Sequence, residues 1–459
     1  MSSKLTPIRL SHLLSHSGVG AIVRGPNWLG VVQDIRYWTD RHGGVAGLEI
    51  PYVERVRSAL GISEQLREPP VASELKNGLV DGICVPVTRF PTWARCPACG
   101  AMYRLSWQQN NSDEPPRCTR EGCVRNKKTL PLLEQVTWVM VDPRGYLADV
   151  PWHFLAHRNA RHPGQKACKT QDQLFLKDSH GTRTLGCLAC KTETTFRGDE
   201  WMDFGQGRVQ PWTKDDLVPP VTNSQKEESN HAQILAVNDT RTYSPVADIA
   251  LVIPPESRVR KGTVVDQLYR NSRDRERIDK ARTPLAKNSN IRELAAKYRC
   301  SPSDVKEALE EITKGYPNYG MSFTPGLLRE SEFDAFSEIL ADQRDDEDLV
   351  THDQSEELKA YQMAAGIDRL VRVDRLKAIK VFRGFRRLRF DEQFVPADIV
   401  GTSDWLPAVQ LYGEGIFVTL EESRLRKWEN HPTVQSRGCP KFCVNGVAKG
   451  LSSCLRTGC

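Results

Sequence analysis

The chain has 459 residues, 39% of them hydrophobic and 27% charged, with a formal net charge of +6. This length allows several domains. No run of about 18 apolar residues occurs, which excludes a membrane-spanning helix, and the first twenty residues lack the apolar stretch of a signal peptide. We therefore expect a cytoplasmic protein with reduced thiols. In that compartment, 13 cysteines indicate metal binding more than disulfides.

The order of apolar runs and turn residues predicts the α+β class, with short mixed strands and helices in several domains. Residues 8–60 are typical of strands and turns, and residues 72–78 predict a helix that is followed by a strand. Residues 131–157 predict a strand, a turn and a short amphipathic segment. The polar stretch 220–247 predicts a linker, and a strand follows at 247–255.

A pair of helices is predicted between residues 288 and 314. Ser301 has the features of an N-cap, Pro302 occupies the first helical position, and Gly315 provides the stop. Two helices joined by a tight turn resemble a helix-turn-helix, but this spacing is common, so a helical hairpin that packs on its neighbours is the preferred interpretation. A further helix is predicted at 327–340.

The last third of the sequence predicts strand, short helix and strand over 367–390. Two strands that flank Gly413 and Gly415 follow, and then a helix over 422–430. We expect four consecutive regions: an N-terminal α/β region at 1–92, a cysteine-rich zinc-ribbon region at 93–219, a linker, strand and helical hairpin with a basic stretch at 220–320, and a C-terminal α/β region with an acidic loop and terminal cysteines at 321–459.

The strongest motif is a pair of cysteine knuckles, Cys96/Cys99 and Cys118/Cys123, separated by eighteen residues. Thiolates two to four residues apart hold one Zn²⁺ tetrahedrally at about 2.3 Å. Gly100 lets the backbone curl back after the first knuckle. Four sulfur ligands leave no open position for water. We therefore expect a structural Zn²⁺ here and no chemistry at the ion.

Two weaker cysteine groups follow. Cys168, Cys187 and Cys190 repeat the eighteen-residue spacing but lack a fourth cysteine, which His157, His162 or His180 could replace. The terminal group also has a spacing that tolerates zinc, although chain ends fray; its members are Cys439, Cys443, Cys454 and Cys459. Cys84 and Cys300 lie in apolar or helical contexts and are expected to be core thiols.

Nucleotide-binding and hydrolase motifs are missing: the sequence has no phosphate loop, no dinucleotide fingerprint and no HExxH or GxSxG. Glu414 between two glycines could be a functional carboxylate, but a turn residue is the simpler interpretation. We therefore predict no catalytic residues, and expect a binding or scaffold protein.

Several segments together resemble the DrmB-like accessory subunits of the bacterial DISARM anti-phage defence system. They occur in the family's order over residues 8–428: IRLSHLLSHSGVGAIV, TRFPTWARCPACG, RGYLADVPWHFLAH, LLRESEFDAF, RGFRRLRF, LPAVQLYGEGIFVTL and Trp428. The resemblance implies a partner, a large superfamily-2 helicase that carries the ATPase, and a complex that engages DNA.

Two departures from the family pattern are visible. Where the family has a cysteine, two residues and then Gly-His, this sequence has Asp142, two residues, Gly145 and Tyr146, so a pair of ligands is missing. Family members also continue well past the GEGIF segment, whereas this sequence stops soon after Trp428. The resemblance therefore implies a form that is truncated at the C-terminus, a split gene or a genuine short variant.

The charges are sorted into blocks, which suggests where DNA would bind. Residues 258–287 carry ten Lys/Arg against four acids, and residues 368–389 carry nine against two. Such residues would contact phosphates without reading sequence. The candidates are Arg260, Lys261, Arg270, Arg273, Arg275, Arg277, Arg372, Arg375, Lys377, Lys380, Arg383, Arg386, Arg387 and Arg389.

Between these blocks, residues 342–357 hold eight acids and one arginine. An exposed, mobile loop is the simplest interpretation. A DNA mimic that shields the basic surface is another.

Three function classes stay open. The first is a zinc-stabilised, DNA-contacting accessory subunit of a defence helicase. The second is a purely structural partner that braces the helicase without touching DNA. The third is a nuclease that acts through carboxylates such as Glu414.

Overall fold

The structure is a computed structural model that describes most of the chain. The described residues are 7–38, 48–74, 80–105, 116–126, 129–179, 181–203, 231–254, 256–315, 325–337, 343–388, 394–399, 401 and 403–436. The terminal cysteines Cys439, Cys443, Cys454 and Cys459 lie outside them, as do His180 and Arg389.

The strands are short except for two. In chain order they are β1 Ile22–Arg24, β2 Leu29–Val32, β3 Gln65–Arg67, β4 Ala72–Glu74, β5 Val80–Gly82, β6 Val87–Arg89, β7 Trp93–Arg95, β8 Met102–Arg104, β9 Glu134–Gln135, β10 Trp138–Val141, β11 Leu147–Asp149, β12 Leu174–Ser179, β13 Thr182–Cys187, β14 Thr192–Thr195, β15 Trp201–Asp203, β16 His231–Ala236, β17 Ser244–Leu251, β18 Leu349–Asp353, β19 Ile367–Arg386, β20 Val395–Pro396 and β21 Trp405–Leu420.

The helices concentrate in the second half of the chain. They are α1 Leu10–Leu13, α2 Glu54–Leu60, α3 Glu121–Asn126, α4 Trp152–His157, α5 Pro163–Lys166, α6 Val264–Arg270, α7 Ser272–Asp279, α8 Pro284–Tyr298, α9 Pro302–Gly315, α10 Pro325–Ser337, α11 Lys359–Ala365, α12 Glu422–Glu429 and α13 Pro432–Ser436. None of the described helices is both long and apolar enough to cross a membrane.

Within the described residues the strands form six small sheets. Their orders are β1-β2-β6, β11-β10-β16-β15, β12-β13-β14, β8-β7-β9, β4-β5 and β17-β19-β21-β3, with β18 and β20 also on β19. The registers of the first five sheets are antiparallel, as are those of β18 and β20 on β19. Separate helices and antiparallel sheets are typical of the α+β class, so the predicted fold class is confirmed.

The chain divides into two compact units, each assembled from three stretches of chain. Unit 1 contains residues 1–49, 66–248 and 381–409, and unit 2 contains residues 50–65, 249–380 and 410–459. From the sequence, by contrast, we expect four consecutive regions.

The core of unit 1 is aromatic. Trp152 at the start of α4 is 1% exposed and packs on Phe196, with ring centroids 5.0 Å apart. Trp138 of β10 meets the same Phe196 ring edge-on at 5.3 Å. This cluster also contains Cys187 and lies against Cys168 and Cys190, so the second cysteine group is part of a packed core.

Unit 2 contains a bundle of α6, α7, α8 and α9. Ser301 caps α9 by accepting a hydrogen bond from the amide of Asp304 at 3.1 Å, and its own amide donates to the Asp304 carboxylate at 2.8 Å. The apolar faces of α8 and α9, with Ile291, Leu294 and Val305, pack into one buried cluster. This packing favours the helical-hairpin interpretation.

Four local predictions are wrong. Residues 72–74 form a strand paired with β5 where a helix was expected. The predicted linker 220–247 contains β16. The predicted strand, helix and strand over 367–390 form one twenty-residue strand, and the strand β21 runs through the GEG segment without a turn. In both long strands the neighbouring strands supply the pairing that local propensity does not reveal.

The acidic stretch is only in part the exposed loop that the sequence predicts. Glu347 and Asp348 are 3% and 6% exposed. Arg258 Nε donates to Glu347 Oε1 at 3.3 Å, and Lys377 Nζ donates to Asp348 Oδ2 at 3.2 Å. β18 then pairs antiparallel with β19. Glu347 and Asp348 are therefore part of the fold of unit 2, because they are buried against their own counter-charges. The other described acids of the stretch are exposed, namely Asp345, Asp346, Asp353, Glu356 and Glu357, and for them the DNA-mimic hypothesis stays a prediction.

Candidate metal centres

The first cysteine group assembles at the turn between two strands. β7 ends immediately before Cys96, and β8 begins after Gly100. The Cys96 amide donates to the Ala101 carbonyl at 2.8 Å, and the Gly100 amide donates to the Cys96 carbonyl at 2.9 Å. Gly100 has a φ of +74°, which a residue with a side chain adopts only with strain. The knuckle places Cys96 and Cys99 on the same side of the turn.

The second half of this group comes from α3 and the bridge before it. The Cys118 amide donates to the Pro131 carbonyl at 2.9 Å, and Cys123 lies in the first turn of α3. The four sulfur atoms lie within 4.8 Å of one another. The Sγ atoms of Cys96 and Cys123 are 3.8 Å apart, as are those of Cys99 and Cys118.

These distances fit a tetrahedral metal site. A disulfide requires sulfur atoms about 2.05 Å apart, so the thiols are free. A regular tetrahedron with bonds of about 2.3 Å has edges of about 3.8 Å, which matches both sulfur pairs. All four positions are taken by protein, so an ion held here has no open site for water or substrate. The predicted ligands Cys96, Cys99, Cys118 and Cys123 are therefore brought together.

Two thiols of this group, Cys118 and Cys123, differ in pKa. Burial alone would raise the pKa of Cys118, but donors that include the Tyr103 hydroxyl, with its oxygen 3.2 Å from the sulfur, and the Arg120 amide lower it to about 7. Burial and the neighbouring thiols raise the pKa of Cys123 to about 12. Such divergence is expected when four thiols share one small volume without a cation, because only part of the group can ionise.

The fourth candidate ligand of the second group is a histidine. Cys187 ends β13, Cys190 lies in the hairpin turn before β14, and Cys168 follows α5. His157 is the last residue of α4 and lies with these three cysteines, all four ligand atoms being within 4.8 Å of one another. Its Nε2 is 3.2 Å from the sulfur of Cys190. The structure therefore brings His157 to the three cysteines, whereas His162 is exposed and outside the group; the third candidate, His180, lies outside the described residues.

The tautomer of His157 suits a ligand. Its Nδ1 is 2.6 Å from the carbonyl oxygen of His153, so Nδ1 carries the proton and donates. The lone pair on Nε2 then faces the cysteines, which is the arrangement that metal-binding histidines adopt. Burial would raise the pKa of Cys190, but the hydroxyl and amide of Thr192, with help from His157, lower it to about 7.

The turn where the family pattern has a cysteine and a histidine is not part of this group. Asp142 is fully buried and accepts from the amide and Nε of Arg144 at 2.7 and 2.9 Å, which fixes the turn before β11. Asp142 therefore stabilises a turn here, and the fourth ligand of the group is His157, one of the three histidines that the sequence offers as candidates.

The two remaining described cysteines differ in burial. Cys84 is exposed, so the prediction that it is a core thiol is wrong, whereas Cys300 is half-buried and packs against the buried cluster of the helical bundle. Among the described residues, these two are the cysteines that lie outside the metal groups.

The predicted phosphate contacts fall into distinct environments. Three are buried and bound within their own unit. Arg275 is 2% exposed and donates to the carbonyls of Leu268 and Tyr269. Lys377 is paired with Asp348. Arg387 is 1% exposed and donates to three backbone carbonyls. A buried side chain that binds internal acceptors does not reach a phosphate, so we assign these three to the interior.

Four more have an acidic partner within their unit. These pairs are Arg270–Asp266, Arg277–Glu293, Arg372–Asp374 and Arg383–Asp248. Arg260, Lys261 and Arg273 are exposed, whereas Arg375, Lys380 and Arg386 are half-buried. Glu414 is exposed on β21. The candidates are divided between the two units.

Comparison with known proteins places this architecture in a family. A family model described as "Domain of unknown function (DUF8724)" matches residues 9–244, which is more than half of the chain. The chain belongs to this family. Both four-ligand groups lie within the DUF8724 match.

This DUF8724 protein is also similar to a protein whose name gives a role. It is 24% identical over 388 residues to the DISARM protein DrmB of Bacillus paralicheniformis, with 78% of this chain and 63% of that protein covered. The chain thus spans less than two thirds of the length of its relative. The resemblance to DrmB expected from the sequence is confirmed.

Proposed function

We propose that the protein is a non-catalytic, zinc-stabilised accessory component of a DISARM antiviral defence system. The observation that carries this proposal is the similarity to a DISARM protein over 78% of the chain. The role is exerted in the cytoplasm, where thiolates remain available for metal.

Zn²⁺ is the ion that the two groups suit best. Four cysteines, and three cysteines with one histidine, are the donor sets of structural zinc sites. Soft thiolates disfavour Mg²⁺ and Ca²⁺, which prefer oxygen. Each ion holds its module in shape, and the absence of an open coordination position leaves catalysis to another subunit.

The proposed partner is a large superfamily-2 helicase, as the resemblance to DrmB-like subunits implies, and the ATPase lies in that partner. In the complex the chain contacts DNA through its exposed basic residues. Arg260, Lys261 and Arg273 are the first candidates, because they are exposed and lie on or beside the helical bundle of unit 2. Such contacts are electrostatic and independent of sequence.

A structural partner that braces the helicase without touching DNA is the alternative. It is favoured by the number of predicted phosphate contacts that serve the fold: Arg275, Lys377 and Arg387 are buried, and four others have acidic partners. A basic sequence block whose charges are satisfied internally presents little positive potential to DNA.

Co-expression with a large superfamily-2 helicase of a DISARM system tests the partner. We expect the two chains to co-elute in size-exclusion chromatography, with zinc bound to this chain. Separate elution at micromolar concentration would refute the pairing.

Photo-crosslinking of labelled DNA to the complex then separates the two versions of the proposal. DNA contact predicts crosslinks to this chain and weaker binding after R260Q/K261Q/R273Q. The slope of log K against log salt should then fall by about 0.9 for each lost contact. The matched control is Lys280→Gln, since Lys280 is exposed but bonded to Glu276. Crosslinks confined to the helicase would support the bracing role instead.

A further inference from the structure

A small cavity in unit 1 lies where the two cysteine modules meet. Its volume is about 130 Å³, and its walls include Arg95, Trp138, Leu176, Asp178 and Arg183. Arg95 ends β7, one residue before the ligand Cys96, whereas Arg183 lies on β13, the strand that ends at the ligand Cys187. The cavity therefore has one arginine from each module.

The first arginine is the less constrained of the two. Among the residues that the structure describes, the guanidinium of Arg95 makes neither a hydrogen bond nor an ion pair, although the residue is half-buried. Glu134 lies opposite Arg95 on β9, and Asp178 lines the same cavity, but neither is within ion-pair distance of it. A half-buried cation whose charge is not met by a direct contact favours an anion beside it, and Arg95 lines a space with room for several atoms.

The second arginine is held in place. The Nε of Arg183 lies 3.6 Å from Oδ2 of Asp178, its partner across the antiparallel pair of β12 and β13. Its guanidinium stacks over the Trp138 ring, 4.8 Å from the ring centroid. An acid on one side and a ring below fix the plane of the guanidinium, which is how arginines are prepared for bidentate binding of oxyanions. The charges on the wall sum to +1, from two arginines and one aspartate.

The tryptophan does not serve as a stacking platform for a base. A Cβ on Gly198 would lie 2.3 Å from the Trp138 ring, so that backbone packs directly on the indole. Phe196 meets the same ring edge-on, and Arg183 lies over its face. An aromatic ligand has no place on this ring, so the two arginines are the groups that the cavity offers to a ligand.

We propose that this cavity binds a phosphate group through Arg95 and Arg183, with Asp178 and Trp138 positioning the second arginine. The phosphate is either part of a nucleic-acid backbone or a free phosphate or nucleotide, since the same chemistry recognises each. The inference does not depend on the proposed function, because phosphate binding can be measured on the isolated chain.

The test is a thermal-stability titration of the zinc-loaded chain with inorganic phosphate at constant ionic strength, balanced with chloride. Wild type should be stabilised by phosphate in the millimolar range. Because a charge-assisted hydrogen bond contributes about 1.5–3 kcal/mol, Arg95→Gln and Arg183→Gln should each weaken phosphate binding by about tenfold or more. The matched control is Arg24→Gln, an exposed arginine on β1, which should behave as wild type.

Two results would overturn the proposal: no stabilisation of wild type by phosphate, or the same stabilisation in both cavity variants. Zinc content equal to wild type shows that the variants are folded. Arg183→Lys keeps the positive charge but loses the planar guanidinium that binds two oxygens at once, so it should bind phosphate with intermediate affinity. A second measurement identifies the source. If the cavity variants also weaken binding of a fluorescein-labelled oligothymidylate, the site takes nucleic-acid phosphate; if only binding of inorganic phosphate and AMP falls, it takes the free form.

Discussion

The amide of Leu176 donates a hydrogen bond of 2.8 Å to the carbonyl oxygen of Gly100. Gly100 closes the first cysteine knuckle, and Leu176 lies on the central part of β12 in the second module. A bridge between Ala101 and Phe175 extends the contact. The two metal-binding modules thus share backbone hydrogen bonds, and a change at the knuckle should be felt in both.

Replacing Gly100 by alanine should therefore weaken this junction. A Cβ at this position would lie 2.8 Å from the Leu176 carbonyl oxygen, and the φ of +74° is unfavourable for alanine. We expect a loss of about 1–3 kcal/mol in the free energy of unfolding in urea. Gly122→Ala is the control, since a Cβ added to this residue of α3 would point into open space. Equal stabilities of the two variants would contradict the structural role of Gly100.

The first group should lose its metal when a single ligand is changed. Cys118→Ser should lower the zinc content by one ion per chain, because binding depends on all four sulfur atoms. Structural zinc contributes on the order of 10 kcal/mol to folding in small domains, so protease cleavage between residues 96 and 123 should also increase. Cys84→Ser changes an exposed thiol outside the groups and should leave both readouts unchanged. Full zinc content in the Cys118 variant would disprove the assignment.

The fourth ligand of the second group can be tested among the histidines. His157→Ala should remove one zinc ion per chain, while His162→Ala should retain it. His157→Cys supplies a thiolate in the same place and should keep most of the metal. If His162→Ala lost the ion and His157→Ala did not, the geometry of α4 described above would be wrong.

Unit 2 should lose stability with rising pH because of Glu256. Burial, together with the nearby Glu54, raises the pKa of this carboxyl from 4.5 to about 7. The folded chain thus holds the proton more tightly than the unfolded chain. This contribution is complete below pH 4.5 and disappears as the pH rises through about 7. Glu256→Gln keeps an acceptor for the Tyr269 hydroxyl, which is 2.9 Å away, and removes the titration.

We expect the free energy of unfolding of wild type to fall by up to about 3 kcal/mol relative to Glu256→Gln between pH 4.5 and 7. Urea denaturation at several pH values measures this difference. Glu307→Gln, at an exposed position of α9, is the control and should follow wild type. Parallel curves for wild type and Glu256→Gln would show that the carboxyl does not titrate in this range.

Arg387 should contribute to the stability of the fold and not to DNA binding. It donates from Nε to the Gly145 carbonyl at 3.0 Å and to the carbonyls of Thr242 and Gly20. Arg387→Met would leave these buried acceptors unsatisfied and should cost about 3 kcal/mol or more in urea denaturation. Arg372→Gln removes an exposed ion pair with Asp374 and should cost no more than about 1 kcal/mol. Weaker DNA binding by a fully stable Arg387 variant would return this residue to the interface.

The sequence predicted the elements whose signals are local. Ser301, Pro302 and the apolar stripe of α9 identify a helix without any tertiary information, and the Cys96/Cys99 and Cys118/Cys123 spacing defines a metal site by itself. The long strands could not be predicted in this way. The many charged residues of β19 resemble those of a solvent-exposed segment. Lys377 and Arg383 are accommodated in the strand because they form ion pairs with Asp348 and Asp248, which are distant in the sequence.

The same reason explains the incomplete prediction of the site. His157 is eleven residues away from Cys168 in the chain, and its proximity depends on how α4 packs on β13 and β14. The cavity with Arg95 and Arg183 gave no signal at all, because its two arginines are 88 positions apart and neither belongs to a basic block.

The interrupted chain path of unit 1 has a consequence for its synthesis. Phe385 and Arg387 belong to the stretch 381–409, yet the Phe385 ring stacks on Tyr243 and Arg387 is bound by residues as early as Gly20. The portion recognised by the family model ends at residue 244, which is 137 positions before that stretch begins. A ribosome adds those residues in roughly 7 to 27 s at about 5–20 residues per second. During this interval unit 1 lacks the contacts that residues 381–409 make with it. A fragment that ends at residue 244 would never form these contacts.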